Sequence, residues 1–169
     1  AVQFTDGTSL GKQWSGSGVT GQDLWDQRED GERFSLPFNL YVTHVELHCN
    51  STGSPPNALR VELRNTANTV LSLGTIQGVN RTPAWRKGEL NPPLTLIAGT
   101  TYRLMAMQEN DPLGPAPSYK ISLNNSSAGA PWGNLTYRGA DAVYVSSMNN
   151  GGSYSESPGD DIGFRFGPG

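Results

Sequence analysis

The sequence predicts an all-β protein, a single-domain β-sandwich that is jelly-roll-like and has about eight to ten short antiparallel strands. Three observations support this fold class. Apolar and polar residues alternate in short runs that recur at intervals of about 8 to 12 residues, and no segment has a convincing helical period. Turn-forming residues separate the runs, with 21 Gly and 12 Pro in the chain. Charged residues make up only 16% of the composition, which is typical of sheets joined by turns.

The length of 169 residues is sufficient for one domain with a hydrophobic core, and no linker-like segment divides the chain. We therefore expect one domain over 1–169, with a Gly/Ser-rich arm or loop at 1–31 and the sandwich at 32–169. The chain begins at Ala1 and not at Met, which suggests a removed signal peptide or a shortened chain. The expected location is extracellular, either secreted or on a particle surface.

The clearest strand signal lies between Thr43 and Arg64. Two alternating arms, 43–49 and 58–64, flank a turn-rich segment at 50–57, and this pattern predicts a β-hairpin with one buried face. The apolar positions change parity near Thr43, which predicts a bulge or a strand that crosses between sheets. The side chains on the predicted core face are Val45, Leu47, Cys49, Leu59, Val61 and Leu63.

The other strands follow from the same alternation. Pro37 ends the first clear run because proline cannot donate to a strand ladder. Three prolines in 110–117 and the Gly/Ser/Asn-rich segments at 6–21, 124–134 and 149–159 predict loops, and Gly31 favours a loop at 22–31 as well. The remaining predicted strands are 1–5, 32–36, 69–73, 84–89, 94–96, 101–107, 118–123, 135–137, 142–145 and 161–166.

Composition and motifs exclude several functional classes. The formal charge is −3 with scattered Lys and Arg, so we expect no nucleic-acid partner. No apolar run reaches the roughly 18 residues that cross a bilayer, so no membrane span is expected. Cys49 alternates with apolar neighbours and is interpreted as a small buried side chain. The chain has no nucleophile elbow, zinc-protease motif or phosphate-binding glycine loop, and we expect no catalysis.

Aromatic residues in or near predicted loops are the best candidates for ligand binding. Ring faces stack on the apolar faces of sugars while neighbouring polar groups bind the hydroxyls. The alternative is that these rings cap the ends of the core. The predicted ligand-binding residues are Trp132, Asn134, Tyr137, Arg138, Asp141 and Trp85.

Metal binding has weaker support. His44, Glu46 and His48 share one strand face, but strand geometry separates the two histidines by about 13 Å. A charged surface or a contact with another protomer is therefore preferred, with Arg60, Glu62 and Arg64 on the other arm available to pair with Glu46. Loop carboxylates are calcium ligands, and structural calcium is the one cofactor we consider. Its candidate ligands are Asp160 and Asp161, or the acidic run Asp23, Asp26, Glu29 and Asp30.

Four stretches carry a family resemblance: 32–37 with 42–47, 53–63, 93–104 and 161–166. Together they resemble jelly-roll sandwich modules of secreted bacterial and phage-associated proteins, similar to carbohydrate-binding modules. The resemblance implies a non-catalytic extracellular module that binds a polysaccharide or glycan. The alternative is a structural subunit, such as a phage decoration or tail component or a self-assembling extracellular protein. The partners of such a subunit would be identical protomers or another structural protein. The Gly/Ser-rich arm at 1–31 favours this alternative, because such an arm can reach a neighbouring protomer.

Overall fold

The computed structural model describes residues 2–3, 9–10, 19–24, 27–109, 117–125, 141–157 and 160–167. These residues form antiparallel strands joined by turns, and none of the described segments is a helix long and apolar enough to cross a membrane. The strands are β1 Val2–Gln3, β2 Ser9–Leu10, β3 Val19–Leu24, β4 Glu29–Ser35, β5 Leu40–Ser51, β6 Leu59–Asn65, β7 Val70–Thr75, β8 Ala84–Leu96, β9 Thr101–Gln108, β10 Tyr119–Asn125, β11 Asp141–Ser147, β12 Ser155–Ser157, β13 Asp160–Ile162 and β14 Phe164–Gly167.

Twelve strands belong to one continuous sheet, and β1 pairs with β2 separately. The sheet runs in the order β12-β11-β4-β9-β6-β7-β8-β5-β10-β13, with β14 beside β5 and β3 beside β10. Between β7 and β8 the only paired positions are Leu73 and Asn91, so the sheet turns there. We call β12 to β7 of this order the first half, and β8 to β13 with β14 and β3 the second half.

The sheet is curled, and aromatic contacts in the core connect its two halves. Phe34 of the first half lies 6.0 Å from Tyr102 in the same half, measured between ring centroids. It lies 5.9 Å from Phe164 and 5.4 Å from Phe166, both in β14 of the second half. The prediction of an all-β, antiparallel protein is confirmed, in the form of one curled sheet. The prediction of eight to ten short strands is wrong, because the described residues form fourteen strands, and β5 and β8 are 12 and 13 residues long.

The predicted hairpin between Thr43 and Arg64 is wrong. β5 pairs with β8, β10 and β14, whereas β6 pairs with β7 and β9 in the other half. Alternation specifies which face of a strand is buried but not which strand lies beside it. The predicted core face is confirmed, because all six of its side chains have 0% exposure. The predicted bulge is also confirmed by a register shift between Val42 and His44.

Several predicted boundaries need correction, and the loop predicted at 149–159 contains β12, Ser155–Ser157. The loop predicted at 22–31 contains the end of β3 and the start of β4, because β3 pairs with β10 over six positions and β4 pairs with β9 and β11 from its first residues. The predicted strands 84–89 and 94–96 are one strand, β8, which continues through Pro92 and Pro93. Termination before Pro37 is confirmed, since β4 ends at Ser35.

Candidate functional site

The structure describes only part of the predicted ligand-binding set. Trp132, Asn134, Tyr137 and Arg138 lie outside the described residues. Asp141 begins β11, where its backbone pairs with Ser35, but its side chain lies outside the description. Trp85 is described, and its position on β8 defines the first candidate surface.

Three adjacent strands bring polar side chains around Trp85. β5 lies between β8 and β14, and its register places His48 opposite Trp85 and Glu46 opposite Arg165. The guanidinium carbon of Arg165 lies 3.7 Å from the centroid of the Trp85 ring. The His48 ring meets the same indole edge-on, with 5.4 Å between centroids. We call this partly exposed outer surface of the second half, with Ser122 of β10, the Trp85 face.

The charges on the Trp85 face are largely balanced. Nε of Arg165 lies 3.1 Å from a carboxylate oxygen of Glu46. Nδ1 of His48 shares a 2.7 Å hydrogen bond with the Ser122 hydroxyl. Partial burial, followed by the positive charge of Arg165, lowers the pKa of His48 below its ordinary value. At neutral pH the face therefore combines an indole ring with a neutral imidazole, a hydroxyl and one ion pair.

A cavity of about 420 Å³ opens on the outer surface of the first half. Its polar wall comes largely from β6, where Arg60, Glu62 and Arg64 alternate with the core residues of the same strand. We call it the Arg60 cavity. Its lining residues are Glu29, Arg60, Glu62, Arg64, Met107, Gln108, Glu109 and Asn150.

A buried ion network forms the floor of the Arg60 cavity. Arg64 is 5% exposed and donates to both carboxylate oxygens of Glu29, at 2.7 and 2.8 Å. Its Nε donates to Glu62 at 2.7 Å, and Nη1 donates to the Tyr154 hydroxyl at 2.9 Å. Burial disfavours the charge of Arg64, but hydrogen bonds and charges from Glu29 and Glu62 outweigh it and raise the pKa of the guanidinium.

The network corrects the prediction of a charged outer face that pairs with Glu46. Glu62 is only 6% exposed, and its partners are Arg60 and Arg64. Glu62 and Arg64 are covered by the segment before β12. In this segment Tyr154 packs against Met105, Met107 and Val145, and its hydroxyl accepts a hydrogen bond from Arg64. Strand alternation cannot predict that Tyr154 buries Arg64, because the two residues are 90 positions apart in the chain.

The metal candidates are only partly described. The side chains of Asp160 and Asp161 lie outside the description, and their backbones pair with β10. In the second acidic group, Glu29 pairs with Arg64, and Asp30 accepts from Arg28 at 2.7 Å and from the Tyr144 hydroxyl. These two carboxylates therefore do not converge on one ion. Among the described side chains, no group of three or more His, Cys, Asp or Glu residues is placed to hold a metal.

Comparison with known proteins adds no family assignment. No protein-family model matches the chain, and no curated protein matches it. The functional argument therefore rests on the two surfaces just described.

Proposed function

We propose that the protein is a non-catalytic carbohydrate-binding module and that the Trp85 face binds a polysaccharide or glycan. The observation that carries the proposal is the grouping of Trp85 with His48 and Arg165 on one outer surface of the sheet. The indole face of Trp85 that Arg165 does not cover would stack on the apolar face of a sugar, and the surrounding donors and acceptors would bind its hydroxyl groups.

The contacts around Trp85 also favour a preorganised surface. Stacking of Arg165 on the partly exposed ring of Trp85 contributes about 0.5–1 kcal/mol. The same guanidinium forms an ion pair with Glu46. The hydrogen bond between His48 and Ser122 restrains the imidazole. Groups that are already ordered lose less conformational entropy when a ligand binds, which supports binding by a shallow surface.

The proposal includes assignment of the fold to the jelly-roll class. Connections from β4 to β5, β5 to β6, β8 to β9 and β9 to β10 each cross from one half of the sheet to the other. Repeated crossing of this kind is what a double Greek key requires, and it supports the assignment. An extracellular location belongs to the same proposal, and the loop aromatics Trp132 and Tyr137 remain predicted extensions of the binding surface.

A glycan array followed by affinity measurement on the best polysaccharide tests the proposal. Trp85→Ala is expected to weaken binding at least about tenfold, equivalent to about 1.4 kcal/mol. The affinity of Trp85→Phe should lie between those of the wild type and Trp85→Ala, because phenylalanine keeps a smaller ring. Tyr41→Ala is the matched control, since Tyr41 is an aromatic residue on β5 with 55% exposure that lies away from the Trp85 face.

Two results would refute the proposal. The first is a wild-type protein that binds no glycan on the array. The second is a Trp85→Ala variant that retains wild-type affinity and normal unfolding. Absence of glycan binding together with a large regular assembly in light scattering would instead support the alternative function, a structural subunit built from identical protomers.

A further inference from the structure

The Arg60 cavity is built by four separate parts of the fold. β4, β6 and β9 form its walls, and Asn150 reaches it from the turn that follows β11. Its volume of about 420 Å³ falls within the range of about 300–1,000 Å³ that is typical of small-ligand sites. The cavity lies on the first half of the sheet, whereas the Trp85 face lies on the second half.

The charge balance of the cavity disfavours anions and metal ions. Arg64 directs its donors to Glu29, Glu62 and Tyr154, so its charge is already compensated. Arg60 lies 2.8 Å from the second oxygen of Glu62. A phosphate would require a guanidinium without a carboxylate partner, and a metal ion would require converging carboxylates without arginine partners. The paired arginines leave no guanidinium for an anion, and Glu109 adds a further carboxylate to the lining. The cavity therefore suits a ligand that carries no negative charge and offers hydrogen-bond donors.

Several polar atoms in the cavity wall have no partner among the described residues. Gln108 is 2% exposed, and both its amide nitrogen and its amide oxygen are buried without a hydrogen bond. Nε of Arg60 is in the same state. A buried Nε without a hydrogen bond also occurs at Arg86, Arg103 and Arg165, so the Gln108 amide is the stronger indication. Buried polar groups without partners are uncommon in folded proteins and require an explanation.

Hydroxyl groups can satisfy all of these atoms because they both donate and accept hydrogen bonds. Each hydroxyl donates one hydrogen bond and accepts up to two, so two hydroxyls of one ligand are needed. One would accept from Nε of Arg60 and from the Gln108 amide nitrogen and donate to Glu109, and the second would donate to the Gln108 amide oxygen. Met107 adds an apolar surface to the same wall, which suits the C–H groups of a sugar ring. We infer that the Arg60 cavity is a second ligand site that binds one uncharged polyhydroxylated unit, such as a hexose. The inference goes beyond the proposed function and does not depend on it.

Free monosaccharides test the inference directly. The probes are the methyl glycosides of glucose, galactose, mannose and N-acetylglucosamine, titrated at millimolar concentration with saturation-transfer NMR. At least one should bind, and Gln108→Leu and Arg60→Met should each reduce its affinity tenfold or more. Arg86→Met is the matched control, because it removes another arginine with an unpaired Nε at a position outside the cavity. The control should bind as the wild type does.

Thermal unfolding separates lost binding from lost folding. Gln108→Leu replaces a buried, unpartnered amide with an apolar side chain of similar size, so its Tm should equal or exceed that of the wild type. The inference is overturned if no methyl glycoside binds, or if binding survives in both cavity variants. Polysaccharide binding that depends on Trp85 while no glycoside responds to the cavity variants would overturn this inference alone. Glycoside binding that depends on Gln108, with no binding at Trp85, would overturn the proposed function alone.

Discussion

Replacement of Arg64 by Met is expected to destabilise the protein by about 3–5 kcal/mol, the usual cost of removing one partner from a buried ion pair. The structure places the value near the lower end of this range. Glu62 retains Arg60 at 2.8 Å. Glu29 is 3% exposed and loses the hydrogen bonds to both of its carboxylate oxygens. Most of the penalty therefore comes from the buried carboxylate of Glu29.

The same network predicts a rescue. Replacing Glu29, Glu62 and Arg64 together by Met should restore most of the lost stability, because an apolar substitute for a whole buried ion network is often neutral. The pKa of Arg64 is raised, so its contribution to the stability of the wild type is fully present at every pH below the ordinary arginine pKa. The contribution that Arg64 makes in the wild type should therefore not change between about pH 6 and about pH 9.

Urea unfolding followed by the fluorescence of the four tryptophans measures these differences. Arg33→Met is the control, since it breaks an ion pair with Glu156 whose side chains are 23% and 41% exposed. The control should cost about 1 kcal/mol or less. A loss below about 1 kcal/mol in Arg64→Met, or a triple variant less stable than the single one, would refute the reasoning that a buried carboxylate dominates the cost.

Three further predictions follow from buried or crowded positions. Burial raises the pKa of the Cys49 thiol to about 12, so Ellman's reagent at pH 8 should label it only after unfolding, and rapid labelling of the native protein would contradict this. The pKa of His48 is lowered by burial and by Arg165, so stability should fall as the pH decreases below the ordinary histidine value of about 6.5. Urea titrations at several pH values should show this fall in the wild type and a weaker one in His48→Asn. Gly31→Ala should lower the free energy of unfolding in urea by about 1–3 kcal/mol or more, because a Cβ there would clash with the Leu104 carbonyl. An unchanged free energy of unfolding would show that β4 and β9 move apart at little cost.

The sequence was most informative where a property depends on neighbouring residues. Alternation correctly identified Leu47 and Val61 as core residues, and the parity change correctly located the bulge beside Thr43. Gly31 was interpreted as a loop residue, yet it lies within β4 where β9 approaches closely. Glycine marks both turns and close strand contacts, and only the position of the partner strand distinguishes the two.

The candidate sites were less accessible from the sequence. Trp85 was predicted as a binding residue because aromatic rings near loops favour sugar binding, and this stays a prediction. Its contacts with His48 and Arg165 come from two other strands. The Arg60 cavity was missed altogether. Its arginine and glutamate residues have the pattern of an exposed strand face. The charge of Arg64 is compensated by Glu29, which lies 35 residues away in the chain.

The sequence alone predicted the all-β class and the buried faces of β5 and β6, because side chains alternate across a strand through backbone geometry alone. The tertiary structure decided which strands pair, since pairing depends on the free energy of all contacts together. It separated β5 from β6 into opposite halves of the sheet. It also buried Arg64, because Glu29 and Tyr154 supply, from distant parts of the chain, the partners that a buried charge requires.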